Sequence, residues 1–256
     1  MQTKKFYTVD SNGDLELRDL EREGRQFTYD KYLKGEFDFY NYIWYENFTH
    51  FVYDDLGCDY ERYGCFIKKD DIVLDLGANI GVFAHRAEIR GASKVICFEP
   101  MTPTFNCLVK NLGDKSIAYK NAVGSENKFC DFLIHSSFDN LGGATTLEQD
   151  KKSENYTHIH GEKVFMININ DIFNTFDRKI NFMKVDIEGG EVDVLTNITD
   201  VNLSSLRCLA AEFHKTYEEF ELFQDNFIKR MYGLGFQSFI LYHGGGHLRT
   251  LTFWKD

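Results

Sequence analysis

Acidic side chains close four short apolar runs of this chain. Asp75 precedes a glycine turn in Asp75-Leu76-Gly77-Ala78-Asn79-Ile80-Gly81, and Glu99 follows Val95-Ile96-Cys97-Phe98. Asp186 follows Phe182-Met183-Lys184-Val185, and Glu212 lies within Glu212-Phe213-His214. A single acid at a strand end is ordinary surface. Four on one rim are harder to dismiss, because in a doubly wound sheet the ligand sits at the carboxyl ends of the strands. The first turn and Glu99, eighteen residues beyond Gly81, together suit an adenosine-bearing ligand. The glycines admit close backbone approach, and the acid accepts hydrogen bonds from ribose hydroxyls. The loop lacks the third glycine of a dinucleotide site and adds Asp75, which repels a pyrophosphate. A ligand carrying a sulfonium and an ammonium is attracted instead, so S-adenosylmethionine (SAM) is the expected cofactor, not NAD.

Asp186, Glu188, Glu212 and His214 are the candidate catalytic residues. Gly189-Gly190 turns sharply after Asp186, and Glu188 faces the same way as Asp186 if the backbone stays extended. Glu212 and His214, also two apart, share a side of an extended strand end, which lets Glu212 orient the ring. An imidazole titrates near physiological pH, which makes His214 the best general base, with Asp186 the other candidate. The same four side chains suit a hard divalent cation, but their spacing does not require one and no metal is expected. Lys184 interrupts an apolar run and is read as the partner of an acid. The loop Phe138-Asp139-Asn140-Leu141-Gly142-Gly143-Ala144-Thr145-Thr146 is most simply a turn; it also suits closure over the cofactor, through Asn140 and Thr145.

The elements that must position these groups alternate from Asp70 onward. Strands are expected at Ile72–Leu76, Lys94–Phe98, near Ile117–Tyr119, at Phe182–Val185 and at Cys208–Phe213. Helices are expected over about Ile80–Arg90, closed by Gly91, over about Pro103–Asn111 with Thr102 as cap, from about Gly190, and over about Tyr217–Leu234. A β-rich insertion covers about Lys128–Ile169. Two terminal strands, Phe236–Leu241 and Leu248–Trp254, flank His243-Gly244-Gly245-Gly246 and add antiparallel pairing to a parallel sheet. The expected fold is α/β: a doubly wound, mostly parallel seven-stranded sheet of the class I SAM methyltransferase type. Residues 1–66 are read as an N-terminal helical extension and 67–256 as the methyltransferase domain. Tyr40, Ile43, Trp44, Phe48, Phe51 and Val52 approximate helical spacing, which suits a core-packed helix and a lid over the site alike.

The net charge of −11 over 256 residues argues against nucleic acid and against an anionic membrane surface as partners. Six scattered cysteines without a C-x-x-C pair fit a reduced compartment. The start has no apolar signal stretch and no run is long enough to span a bilayer, so a cytoplasmic location is expected.

With these residues laid out, the chain resembles the FkbM family of SAM-dependent methyltransferases. The resemblance rests on Asp75-Leu76-Gly77-Ala78-Asn79-Ile80-Gly81, Phe98-Glu99-Pro100, Asn121-Ala122-Val123-Gly124 and Lys184-Val185-Asp186-Ile187-Glu188-Gly189-Gly190-Glu191, in order and spacing, over roughly residues 60–215. It implies SAM contacts from Asp75, Gly77, Asn79, Gly81 and Glu99; Ala78, Pro100, Asn121, Ala122, Asn140 and Asp186 are the further cofactor-binding residues expected from the reading of the chain. It also implies that Asp186 and Glu188 line the reaction centre, and that a hydroxyl of a sugar, glycan or small natural product is the acceptor. The alternative is a catalytically silent module of the same fold that binds SAM or its product. Neither the acceptor nor the oligomeric state follows from the residues.

Overall fold

The computed structural model describes residues 6–9, 15–18, 58–132, 162–214, 218–243 and 248–256. The expected helix over 40–56 and the loop with Asn140 and Thr145 lie outside them.

The first described elements are two strands, β1 (Phe6–Val9) and β2 (Leu15–Arg18), paired antiparallel. This part of the N-terminal extension is a hairpin, not helix. Its apolar residues alternate with polar ones in Leu15-Glu16-Leu17-Arg18, the period of a strand. The segment Cys58–Ile67 follows, and Cys58, Tyr60, Cys65 and Ile67 are buried in the main core. The expected boundary at residue 66 therefore falls within a packed segment.

The β/α alternation then runs as β3 (Ile72–Leu76), α1 (Val82–Ile89), β4 (Lys94–Phe98), α2 (Thr102–Asn111) and β5 (Ser116–Tyr119). Strands β6 (Ala122–Gly124), β7 (Lys128–Phe132) and β8 (Glu162–Asn168) come next, then helix α3 (Ile169–Thr175). The remainder is β9 (Phe182–Val185), α4 (Glu191–Asn197), α5 (Asp200–Ser205), β10 (Cys208–Phe213), α6 (Glu218–Gly233), β11 (Gln237–Tyr242) and β12 (Arg249–Trp254). The large sheet has seven strands in the order β11-β12-β10-β9-β3-β4-β5. Strands β10, β9, β3, β4 and β5 are mutually parallel, and β12 runs antiparallel to both β10 and β11. The last strand thus inserts beside β10 and leaves β11 at the edge.

One core face carries Leu74, Leu76, Ile96, Met183, Val185, Leu209 and Phe213 against residues of α3 to α6. The other carries Val73, Val95, Cys97 and Phe182 against α1 and Cys58–Ile67. Burial on both faces explains why the central strands read as apolar runs, interrupted in β3 by Asp75 and in β9 by Lys184.

Two further differences from the sequence reading are local. Ala122–Gly124, after the expected strand near Ile117–Tyr119, forms a strand that was not expected and pairs with β8 in a three-stranded sheet ordered β6-β8-β7. Helix α2 starts one residue earlier than expected, with Met101 as its N-cap. Glu162 takes over the capping work, accepting from the Thr102 amide at 2.9 Å and from its hydroxyl.

Helix α2 holds strand β1 through Asn111, with Lys110 Nζ 4.6 Å from the centroid of the Tyr7 ring. Asn111 accepts from the Tyr7 amide at 2.7 Å, and its Nδ2 donates to the carbonyls of Tyr7 (3.0 Å) and Ile80 (2.8 Å). Asn111→Ala is expected to cost about 1–3 kcal/mol, because it leaves these buried groups without their partner. Hydrogen exchange should show the Tyr7 amide losing protection while β3 and β9 keep theirs.

Candidate functional site

The chain winds outward from β3 to β4 and β5, then returns to build β9 and β10 on the other side of β3. The switch point is therefore the gap between the carboxyl ends of β3 and β9, where open α/β sheets place their ligands. The backbone is tight there. The Asp186 amide donates to the Leu76 carbonyl at 3.1 Å, and the Gly77 and Ala78 amides both donate to Phe98 at 3.0 Å. Gly77 has φ +76°, and a Cβ on it would lie 1.7 Å from the Asp186 carbonyl oxygen. Only glycine lets the first loop cross over the β9 loop at this point. Asn79, at φ 49°, and Gly81, at φ 92°, complete a left-handed path into α1.

A cleft of about 630 Å³ opens over this crossing, a size that suits a small-molecule ligand. Of the expected cofactor residues, Gly77, Asn79, Glu99, Pro100, Asn121, Ala122 and Asp186 line it; Glu188 lines it as well. The small sheet supplies a wall through Phe129, Phe132 and Met166. Glu99 is nearly buried and accepts from the amides of Asn79 (2.9 Å) and Met101 (3.0 Å) and from Thr104 Oγ1 (2.8 Å). Burial raises its pKa above the ordinary carboxylate value, and these hydrogen bonds pull against that rise.

Asp75 is placed differently from the expectation. It is fully buried beneath the glycine loop and does not line the cleft. Its Oδ1 faces Lys184 Nζ at 3.2 Å, and its Oδ2 has no hydrogen-bond partner among the described residues. Burial raises its pKa, with Lys184 opposing. Lys184 is the expected ion-pair partner, and it serves two acids at once, reaching Asp186 Oδ2 at 3.2 Å and the Gly77 carbonyl at 2.9 Å. Burial works against its charge, but the two carboxylates outweigh burial and raise its pKa. Burial likewise opposes ionisation of Asp186, yet Lys184 and then His214 hold its carboxyl below the ordinary range. Ala78 and Gly81 shape the loop without lining the cleft.

The structure brings the four candidate catalytic residues together. His214 Nε2 lies 3.5 Å from both Asp186 Oδ1 and Glu188 Oε1. The residue that orients the ring is Glu191, not Glu212. Glu191 Oε1 meets His214 Nδ1 at 3.2 Å and also accepts from the amides of Ile187 and Gly189. Glu191 opens α4, and its carboxylate closes the Gly189-Gly190 turn that brings it under the imidazole. Burial lowers the pKa of His214, but the hydrogen bond to Glu191 and the charges of Asp186, Glu188 and Glu191 prevail and raise it to about 10. A shift in that direction favours the imidazolium, the form that donates hydrogen bonds and stabilises negative charge. Glu188 is pushed up to about 8 by burial and by the neighbouring carboxylates, against the pull of His214. Glu212 is pushed up to about 7 by burial and Asp186, while a hydrogen bond from Tyr60 pulls it down. Of these two acids, Glu188 lines the cleft.

Tyr60 is the residue that sequence reasoning missed. Its hydroxyl donates to Asp186 Oδ2 at 2.9 Å and contacts Glu212 Oε2. No local pattern marks a tyrosine that meets partners more than a hundred residues away. Glu191, by contrast, stands in the quoted motif, and its place at the head of a helix was the available signal. Asp186, Glu212 and His214 also each offer one ligand atom within 4.8 Å of the others, a geometry open to a cation. Lys184 and Tyr60 already engage two of those side chains.

The strand order, with its antiparallel β12 beside β10, and the cleft over the β3–β9 switch point define a methyltransferase-type α/β domain. Residues 75–238 match the family model described as the methyltransferase FkbM domain. The chain belongs to that family, whose methyl donor is SAM. It is 26% identical over 204 residues to the AMB antimetabolite synthetase AmbE of Pseudomonas aeruginosa, a match covering 66% of this chain and 10% of AmbE. It is 25% identical over 150 residues to Methyltransferase 1 of Beauveria bassiana, covering 51% of this chain and 59% of the relative. Methyltransferase sdnD of Sordaria araneosa is 22% identical over 192 residues, covering 64% of this chain and 74% of the relative. The crystal structure of methyltransferase FkbM from Methylobacillus flagellatus superposes with a TM-score of 0.50 at 16% identity, covering 90% of this chain and 59% of that one. At that identity the likeness speaks for the fold. The chain thus spans a tenth of AmbE and about three fifths of Methyltransferase 1. Among the described residues, no helix is long and apolar enough to cross a membrane.

Proposed function

We propose that the chain is a SAM-dependent O-methyltransferase acting on a hydroxyl of a sugar, glycan or small natural product. The observation that carries this reading is Glu188. It faces the cleft, its carboxyl titrates near neutrality, and an imidazolium lies 3.5 Å away to steady it once ionised. An alkyl hydroxyl is a weak nucleophile, so a base must take its proton as the new bond forms. Glu188 is suited to that role, whereas His214 is already protonated and Asp186 is held too acidic. The name of AmbE, an antimetabolite synthetase, favours a natural-product acceptor.

The donor set fits SAM. Glu99 suits the ribose hydroxyls, the Gly77–Gly81 loop the backbone approach, Asn121 and Ala122 the adenine side, and Asp186 the ammonium. Asp75 contributes from beneath, through Lys184 and the loop. SAM supplies an electrophilic methyl group bound to a sulfonium. The chain's own part is to align a hydroxyl with that methyl in a cleft that limits water, and positioning provides most of the acceleration in such transfers.

Calorimetry checks the cofactor side: SAM and S-adenosylhomocysteine should each bind at one site per chain, and NAD should not bind. Incubation with methyl-labelled SAM and a panel of polyols, glycosides and hydroxylated peptides should then place label in a base-stable ether. Label in an amine or ester, or no binding of SAM, rejects the proposal.

A further inference from the structure

We propose that Tyr60 is a positioning residue of the reaction centre: its phenol clamps the carboxyl groups of Asp186 and Glu212 to one another, so that a segment ahead of the family-matched residues completes the site. Tyr60 lies before residues 75–238. Its ring is buried, edge-on to Phe83 at 5.6 Å, with Lys184 Nζ 5.2 Å from the ring centroid. The ring therefore has its own packing role, separable from that of the hydroxyl.

The hydroxyl contacts Asp186 and Glu212 together. A phenol has one proton to donate. Burial and the two neighbouring carboxylates raise the pKa of Tyr60 well above its ordinary value, so the proton stays on the phenol. It can serve only one carboxylate in a linear bond at a time, and the hydrogen bond it gives Glu212 favours that acid's ionised form. Asp186 is kept ionised by Lys184, which leaves Glu212 as the acid that takes the proton and returns it near neutrality. The groups facing this unit are Lys184 from β9, Glu188 from the loop after it, and His214 from the end of β10. Lys184 and His214 hold Asp186, while the structure gives Glu212 the Tyr60 hydroxyl. Removing the oxygen leaves Asp186 and Glu212 in mutual repulsion without the donor that reconciles them.

The test is a titration of the protein alone. Glutamate labelled with carbon-13 at the side-chain carboxyl gives one resonance per residue, and Glu212→Gln identifies that of Glu212 by its loss. In the parent protein the Glu212 midpoint is expected near 7. In Tyr60→Phe it should rise by about one pH unit, the equivalent of one hydrogen bond to a charged group. Difluorotyrosine placed at position 60, a stronger donor of nearly the same shape, should move it down, and this variant decides the matter if Tyr60→Phe does not fold. An unchanged midpoint in a folded variant overturns the proposal. A merely structural tyrosine would change the melting temperature and leave the titration where it was. The further expectation, a fall of about tenfold in kcat/KM, rests on the methyl-transfer reading. The titration does not, so the two can fail separately.

Discussion

Lys184→Met is expected to lower the unfolding free energy by about 3–5 kcal/mol, the range measured when one member of a buried ion pair is removed. Lys184 stands in β9, a strand buried along its whole length, and its ammonium is shared by Asp75, Asp186 and the Gly77 carbonyl. Methionine is an unbranched apolar chain of similar length, and it gives up the charge together with the ammonium's place over the Tyr60 and Phe83 rings. Asp75 is the reason the cost is high. It is fully buried, and Lys184 is the cation that compensates it. The folded pKa of Asp75 is raised even with the lysine present, and it must rise further without it. An acid whose folded pKa exceeds its unfolded one penalises the fold above the unfolded value, and the penalty fades as pH falls toward the ordinary carboxylate range. Urea unfolding at neutral and at mildly acidic pH should therefore show the deficit shrinking on acidification. Asp75→Asn combined with Lys184→Met should recover part of the loss, since the two changes act on one pair. A deficit independent of pH would mean that Asp75 is not the group left uncompensated.

This core shows what the sequence could reveal and what it could not. That Lys184 pairs with an acid was legible, because a cation inside an apolar run has few other ways to be buried. That it pairs with two acids was not, since Asp75 and Asp186 are joined only by the register of β3 against β9, in which Asp75 stands beside Lys184. The parallel strands were legible for the same reason that they are central: burial on both faces writes an apolar run. Strand β6 and helix α3 were not, because three residues paired to a distant strand carry no period of their own. Glycine chemistry at Gly77, Gly81 and Gly91 was readable, since left-handed backbone calls for it. The charge of His214 was not, because it depends on Glu191 and on a turn at φ 56° for Glu188, which swings that carboxylate toward the ring instead of leaving it extended. Two residues apart in sequence suggested that Glu212 would hold His214. In the fold Glu212 turns to Tyr60.

Glu188→Gln is expected to lower kcat by about 10²–10⁴-fold, the usual contribution of a positioned general base, with SAM affinity changed little. Glutamine keeps the shape and can still accept from His214, but it cannot take a proton from a hydroxyl. The pH dependence gives the sharper test. Glu188 must be ionised to act, and its carboxyl is raised to about 8, so kcat/KM should climb through that pH. His214 must stay charged to hold Glu188 in its ionised form, and with its pKa near 10 the activity should fall again above that value. A cation bound beside Glu188 favours the carboxylate, so saturation with SAM should move the rising limb to lower pH, separating the kcat profile from that of kcat/KM. In Glu188→Gln the rising limb should vanish while the residual rate stays flat through neutrality. If the limb survived at the same pH with the parent's rate, the proton would be going to another group, and Glu212, which is raised to about 7, would be the next to replace.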